Sequence, residues 1–379
     1  MPTSGVPIKC WASNIEQGAL DQAINLANLP FTFKHVALMP DAHQGYGMPI
    51  GGVLATRGVV IPNAVGVDIG CGMGAVRTSL LTEDATPELL KRILSGARDM
   101  IPTGFKHHKH AQAWEGFNRP PSIEVIQGEL DRAPKQLGTL GGGNHFIELQ
   151  AGDDGYVWVM LHSGSRNFGF KTAKFYHSLA QELCAKWHVT LPDKDLAFLP
   201  LDTQEGQDYM TAMNYCLEFA AANRGLMMST MLGIIHHQTL AIGTDEINIH
   251  HNYAALENHY GQNVMVHRKG ATCVRWGIRG IIPGSMGTAS YIVEGLGNPE
   301  SFQSCSHGAG RRMGRKEACR SLSLEAEQAK MEGIIHGVRN QDDLDECPGA
   351  YKDIETVMAD QEDLVRVLVK LRPLASLKG

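Results

Sequence analysis

A chain of 379 residues is long enough for two or three average domains, or for one large one. Hydrophobic residues make up 43% and charged residues 20%, and no run of about 18 apolar residues occurs, which excludes a membrane-spanning helix and wholesale disorder. The 40 Asp and Glu against 34 Lys and Arg leave a net charge of −6, so a protein that coats polyanions nonspecifically is excluded and any nucleic-acid contact needs a local basic surface.

In chain order, residues 31–36 and 53–61 are β-branched or aromatic runs closed by Pro and Gly, and they predict strands. Residues 86–100 predict an amphipathic helix that opens at Thr86-Pro87, with Pro in the first turn. Residues 104–135 are polar, carry Lys106-His107-His108-Lys109-His110, and read as a mobile surface excursion. Residues 156–161 predict a buried strand ending just before His162, and helical patterns follow at 171–188, 207–232, 316–338 and 352–371. Strand blocks separated by helices give a mixed α/β or α+β fold, and the lack of an internal repeat or a Pro/Ser-rich linker makes 1–379 a single compact catalytic domain. The N-terminus lacks a basic start followed by an apolar stretch, so no signal peptide is expected. Eight cysteines without a CxxC pair read as reduced thiols of a cytoplasmic protein.

Glycine is in excess, at 42 residues, and it clusters: nine fall between Gly45 and Gly74 and eight between Gly138 and Gly169. Such clusters suit loops that hold anions or metals, because glycine allows close backbone approach. Among them sit Asp41–Gly47, Val67–Gly72, Gly141–Glu148, Leu161–Arg166 and Ser304–Gly310, and Ile249–Asn252 adds a pair of histidines without glycine. Asp68 and Cys71 are three apart across a glycine, so one turn can present a carboxylate and a thiolate to the same point. Imidazoles from His145, His162 and His251 would complete an O/N/S site for borderline divalent ions such as Mn²⁺ or Zn²⁺, and ligands shared between two ions would suit phosphoryl transfer. A Walker A motif and a Lys-x-Asp-Gly nucleophile are both absent. If a nucleotidyl group is carried covalently, His307 in Ser-His-Gly-Ala-Gly is the candidate nucleophile.

These motifs together resemble the RNA-splicing ligase RtcB family. The resemblance runs in order from Phe33–His43 through Val65–Gly72, Leu137–Glu148, Leu161–Arg166, His250–Tyr253, Arg268–Ala271, Ile282–Gly287 and Ser304–Arg311 to Leu377–Gly379. It implies a single-domain fold particular to the family and a ligase dependent on GTP and two Mn²⁺ ions. Its substrates would be RNA ends bearing a 3′-phosphate or 2′,3′-cyclic phosphate, joined to a 5′-hydroxyl in RNA repair or tRNA splicing. The family's metal ligands fall on Asp68, Cys71, His145, His162 and His251, and its guanylylated histidine on His307. Its nucleotide contacts fall on Asn144, His145, Phe146, Ile147, Glu148, His251, Asn252, Pro283, Gly284, Ser285, Met286, Ser290, His307, Gly308, Ala309, Gly310 and Lys378. The same reading places Lys378 and Glu148 at the guanine base, and expects Leu374–Leu377 to dock as an extended strand that carries Lys378 into the pocket. Arg166, Arg268, Lys269, Arg311, Arg312 and Arg315 are the cations expected near RNA phosphates. Two departures stand out: the 100–137 region is shorter than in the longer members, and Gly314 stands where a Ser is expected. The alternatives are a dinuclear phosphoesterase that opens cyclic phosphate ends without ligating, which would need neither His307 nor Lys378, and a GTP- or RNA-end-binding protein without turnover.

Overall fold

Seven strands with alternating apolar faces form the larger sheet of the computed structural model, which describes residues 5–379. Their order is Arg279–Ile282, Ser290–Gly295, Val365–Lys378, Phe146–Gly152, Tyr156–Ser163, Gly72–Leu81 and Gly243–His250, and every neighbouring pair is antiparallel. One face buries Val76, Ile147, Leu149, Val159 and Leu161 against the helices Pro87–Met100 and Gln204–Thr239. The other face packs Met73, Ala75, Trp158, Met160 and Ile292 together. The shorter helix illustrates the local logic: Thr86 caps it by accepting from the Leu89 N–H, Pro87 starts it, and Leu89, Leu90, Ile93, Leu94 and Ala97 form its buried stripe. Each fully buried Leu or Ile there contributes about 1.5–3 kcal/mol.

The second sheet has five strands in the order Ile8–Cys10, Thr32–His43, Ile50–Thr56, Gln262–Lys269 and Asn252–His259. Only its first pair is parallel. The chain passes from the larger sheet to the smaller at His251, the single residue between Gly243–His250 and Asn252–His259. A two-stranded ribbon, Ala271–Cys273 with Ser304–Ser306, closes the gap between the sheets.

The mixed helix-and-sheet architecture in one compact domain agrees with the sequence reading. Helices expected at 86–100, 171–188 and 207–232 appear as Pro87–Met100, Arg166–Lys186 and Gln204–Thr239. The expected strand at 53–61 is split at Arg57-Gly58, where Gly58 has a φ of 71°. Two expectations are corrected. Residues 316–338 form two short helices, Arg315–Ser321 and Leu324–Lys330, in place of one long one. Residues 352–371 form only the short helix Ile354–Ala359, and Val365–Lys378 is a strand inserted between Ser290–Gly295 and Phe146–Gly152. The 104–135 segment runs over the surface with only short helical turns. It is anchored nonetheless, since Ile126 and Ala133 are buried and Trp114 packs on Tyr215 and Phe219 at ring distances of 5.1 and 5.5 Å. No helix among the described residues is long and apolar enough to cross a membrane, and all eight cysteines are free.

Candidate active site

Register draws one end of the larger sheet to a point. Gly72 pairs with both Ser163 and His250, and Phe146 pairs with His162, so the turns carrying Asp68, Cys71, His145 and His251 meet there. His145 Nδ1 lies 2.8 Å from the Leu140 carbonyl and His162 Nδ1 lies 3.1 Å from the Asn144 carbonyl. A carbonyl only accepts, so each Nδ1 carries the proton and each Nε2 presents a lone pair to the interior. His145 Nε2 is 3.2 Å from Asp68 Oδ2 and 3.5 Å from Cys71 Sγ. His162 Nε2 is 3.2 Å from the same sulfur and 3.3 Å from His251 Nε2.

Two triads result, Asp68–Cys71–His145 and Cys71–His162–His251, each with its ligand atoms within 4.8 Å of one another, and they share Cys71. Three imidazoles, a thiol and a carboxylate converging on one buried point fit a divalent cation, and the shared sulfur fits a pair of them. Burial, aided by neighbouring histidines, holds His162 and His251 well below the usual imidazole range, which keeps them neutral and able to coordinate. Burial, aided by the charge of Asp68, pushes the Cys71 thiol well up, so a bound cation must displace its proton. Burial opposes ionisation of Asp68, yet the adjacent His145 ring, with the charge of Arg166, holds it below the usual carboxylate value. Gly164 is required beside this carboxylate: a Cβ there would fall 2.3 Å from Asp68 Oδ1.

Beneath the metal loop lie two residues that the sequence reading missed. Arg224, fully buried on the long helix, donates to the carbonyls of Gly70 and Ser163 at 2.9 and 3.0 Å and to Asn248 Oδ1 at 2.7 Å. Among the described residues no carboxylate pairs with it, so its charge is available to offset Asp68 and an ionised Cys71. Asn223 accepts from the N–H groups of Gly138 and Thr139 and donates to the carbonyls of Thr139 and Gly164, tying the two glycine-rich loops together. The signal was an Asn-Arg pair inside the apolar run Phe219–Met228.

His307 follows the ribbon strand Ser304–Ser306 and stands 4.8 Å from His251, ring to ring. Its Nδ1 and its backbone N–H both donate to Asp41 Oδ2, at 2.6 and 3.0 Å. The carboxylate therefore fixes the proton on Nδ1 and leaves Nε2 with a free lone pair. The sequence reading held Asp41 only as the first residue of a glycine-rich segment and gave it no role. Lys352 pins that segment by donating to the carbonyls of Pro40 and Ala42. Gly270, at a φ of 63°, leaves room for the ring, since a Cβ there would fall 2.9 Å from His307 Cε1.

A cavity of about 850 Å³ joins these groups. Its lining includes Asp68, Cys71, His162, His251, Asn144, Phe146, Glu148, Asn252, Pro283–Met286, His307–Gly310 and Lys378. His145 borders it through Asp68 and Cys71. Ile147 points into the core on the opposite face of its strand, and Ser290 lies behind the wall, bonded to the Gly284 N–H and to Gln150. At the end away from the metal loop, burial pushes Glu148 up to about 7 against the hydrogen bond it accepts from Gln150. Lys378 reaches this end because its strand pairs with Phe146, as the expected docking of 374–377 requires. Burial lowers its pKa, and Glu346, 3.8 Å away, opposes that shift. Glu346, 1% exposed and missed by the sequence reading, also holds Arg311 and Arg315 at 3.0 and 2.8 Å.

Of the six cations expected near RNA phosphates, Arg311, Arg312, Arg315 and Lys269 line the cavity. Lys269 is spent on the carbonyls of Tyr46 and Asn63. Arg166 is turned to Thr139 and the Gly104 carbonyl. Arg268 is a correction: it is fully buried in a bidentate pair with Glu257 and donates to the Phe302 carbonyl, so it meets no solvent-borne ligand.

Comparison with known proteins is consistent along the chain. The family described as tRNA-splicing ligase RtcB matches residues 22–123 and 115–379. The RNA-splicing ligase RtcB of Escherichia coli is 42% identical over 100% of this chain and 99% of its own length. The tRNA-splicing ligase RtcB of Pyrobaculum aerophilum is 32% identical over 100% and 96%, and the RNA-splicing ligase RtcB of Mycobacterium bovis 32% over 94% and 100%. With the family matched over almost the entire length and its motifs gathered in one cavity, this chain belongs to the RtcB family of RNA-splicing ligases.

Proposed function

We propose that the protein is an RNA ligase that uses GTP and two Mn²⁺ ions to join a 3′-phosphate or 2′,3′-cyclic phosphate end to a 5′-hydroxyl end, through guanylyl-His307. The observation that carries this reading is the placement of a single oriented imidazole between a two-triad ligand cluster and a charged pocket. A phosphoesterase would need the cluster alone.

Asp68, Cys71, His145, His162 and His251 would hold the ions. When bound, these supply Lewis-acid neutralisation of phosphoryl oxygens during transfer. The protein's own groups do the rest. Asp41 keeps the His307 proton on Nδ1, so the Nε2 lone pair attacks the α-phosphate of GTP. One P–N bond forms, one P–O bond breaks, and pyrophosphate leaves. The RNA 3′-phosphate then displaces His307 and takes the GMP, and the 5′-hydroxyl attacks the activated phosphate with GMP departing. A 2′,3′-cyclic end is first opened to the 3′-phosphate by water. Activation is needed because a phosphate monoester has no good leaving group, whereas GMP on a phosphoanhydride is one. Glu148 and Lys378 face the guanine base, as carboxylate acceptor and ammonium donor respectively.

Mass spectrometry after incubation with GTP and Mn²⁺ tests the reading. A GMP adduct on the wild-type chain, absent in His307→Ala that retains fold and metal content, is the expected outcome. An unchanged adduct in His307→Ala removes the assignment.

A further inference from the structure

We propose that the turn at 103–109 is a platform for the single-stranded RNA flanking the break, with Phe105 stacking against a base and Lys106 and Lys109 meeting phosphates. This rests on the ligase reading above and extends it to a surface outside the cavity lining.

Phe105 is 102% exposed, more than any other large apolar side chain of the described residues. It is held out by a bonded turn, not left on a loose end. The Gly104 N–H donates to the Gly141 carbonyl at 2.7 Å, the Lys106 N–H to the Thr103 carbonyl at 3.1 Å, and the His108 N–H to the Lys135 carbonyl at 2.9 Å. His108 adds a ring contact to the Gly138 carbonyl at 3.0 Å. A scattered exposed apolar residue is ordinary, but this one sits in a stretch of unusual charge. Between Asp99 and Glu115 there is no carboxylate, while Lys106, His107, Lys109 and His110 are all exposed. Neither lysine side chain enters an ion pair or hydrogen bond among the described residues. In a chain of net charge −6, an acid-free cationic turn topped by a bare aromatic ring complements a polyanion whose bases have π faces.

Its position gives the platform a purpose. The turn rests on Gly141–Gly143: a Cβ on Gly142 would lie 3.7 Å from Gly104 Cα. The next two residues are Asn144, which lines the cavity, and His145 of the ligand cluster. Arg166 bridges the same gap by donating to the Gly104 carbonyl while its charge bears on Asp68. A strand held at Phe105 is thus a short step from the place where its end must react.

The test is equilibrium binding of a short unstructured RNA with 5′-hydroxyl and 3′-phosphate ends to the full chain, read by fluorescence anisotropy across a salt series, with metal content and melting temperature as fold controls. Phe105→Ala is expected to weaken binding roughly five- to hundredfold, and Phe105→Trp to retain it. The double change Lys106→Ala and Lys109→Ala is expected to flatten the slope of log affinity against log salt by about 1.4. Wild-type affinity and an unaltered slope in these variants overturn the platform while leaving the ligase reading intact. Failure of the wild-type chain to bind RNA at all takes down both.

Discussion

The two ends of the cavity hold their polar groups by opposite means. At the metal end His162 and His251 are held neutral beside an ionised Asp68, and backbone carbonyls dictate which atom His145 and His162 present. At the end proposed to take the nucleotide, ion pairs hold the groups in place, with Glu346 gathering Arg311, Arg315 and Lys378. The first arrangement suits a cation, which one carboxylate neutralises in part and which needs lone pairs aimed at fixed points. The second suits a ligand that brings its own anions and donors, because an internal ion pair can be exchanged for one with the ligand. His307 stands between them, and Asp41 orients it as the carbonyls orient the ligands, but with a carboxylate in their place.

If the metal end works as a unit, its shared atom is its weakest point. Cys71 belongs to both triads, so Cys71→Ala is expected to lose all bound Mn²⁺ and every step that follows, guanylylation included. Metal analysis of the purified variant, alongside the adduct assay, checks this. Full metal stoichiometry with normal turnover would mean that Cys71 is an ordinary buried thiol and that the two ends differ less than their geometry indicates.

The boundary between the ends can be moved by one side chain. Asp41→Ala removes the acceptor of both His307 N–H groups, so the proton is no longer fixed on Nδ1 and the ring loses its orientation. Guanylylation is expected to slow about 10²–10⁴-fold with metal content unchanged. A variant that guanylylates at the wild-type rate would show that Asp41 merely packs against the ring.

How much of this was legible in the sequence differs between the ends for the same physical reason. Asp68, Cys71, His145, His162 and His251 sit in short glycine-rich turns or beside a second histidine, a local signal that survives without knowledge of the fold. Glu346 carries no such mark: its partners Arg311, Arg315 and Lys378 come from separate segments, and the last arrives only because Val365–Lys378 inserts between two strands. The sequence reads the first half of that strand, 365–371, as the end of a helix, and only 374–377 as extended. The run Val365–Leu371 fits either period, and its neighbours Ser290–Gly295 and Phe146–Gly152 lie about 70 and 220 residues away in sequence, so tertiary pairing decided the matter. Arg268 failed for the converse reason. It lies in a motif shared with pocket residues, but strand alternation turns it inward to Glu257 while Lys269 faces the cavity.

The smallest expected effect concerns charge at the nucleotide end. Burial raises Glu148 to about 7, well above an ordinary glutamate, whereas recognition of guanine needs the ionised form, which accepts from the N1 and 2-amino N–H groups. Because the free protein holds this proton below about pH 7 and the bound form must give it up, guanine binding expels a proton there. Affinity is therefore expected to fall about tenfold per unit as pH drops below 7 and to level off above it. Guanosine is the right probe, since it has no phosphate to titrate and no need of metal. Glu148→Gln is expected to bind guanosine more weakly at pH 8 and to show no such slope, because a glutamine offers one acceptor and sets an amide donor against a guanine donor. Displacement of a fluorescent guanosine between pH 5.5 and 8.5 measures both chains. A flat wild-type profile would place the base elsewhere in the cavity, and an unchanged slope in Glu148→Gln would assign the titration to another group.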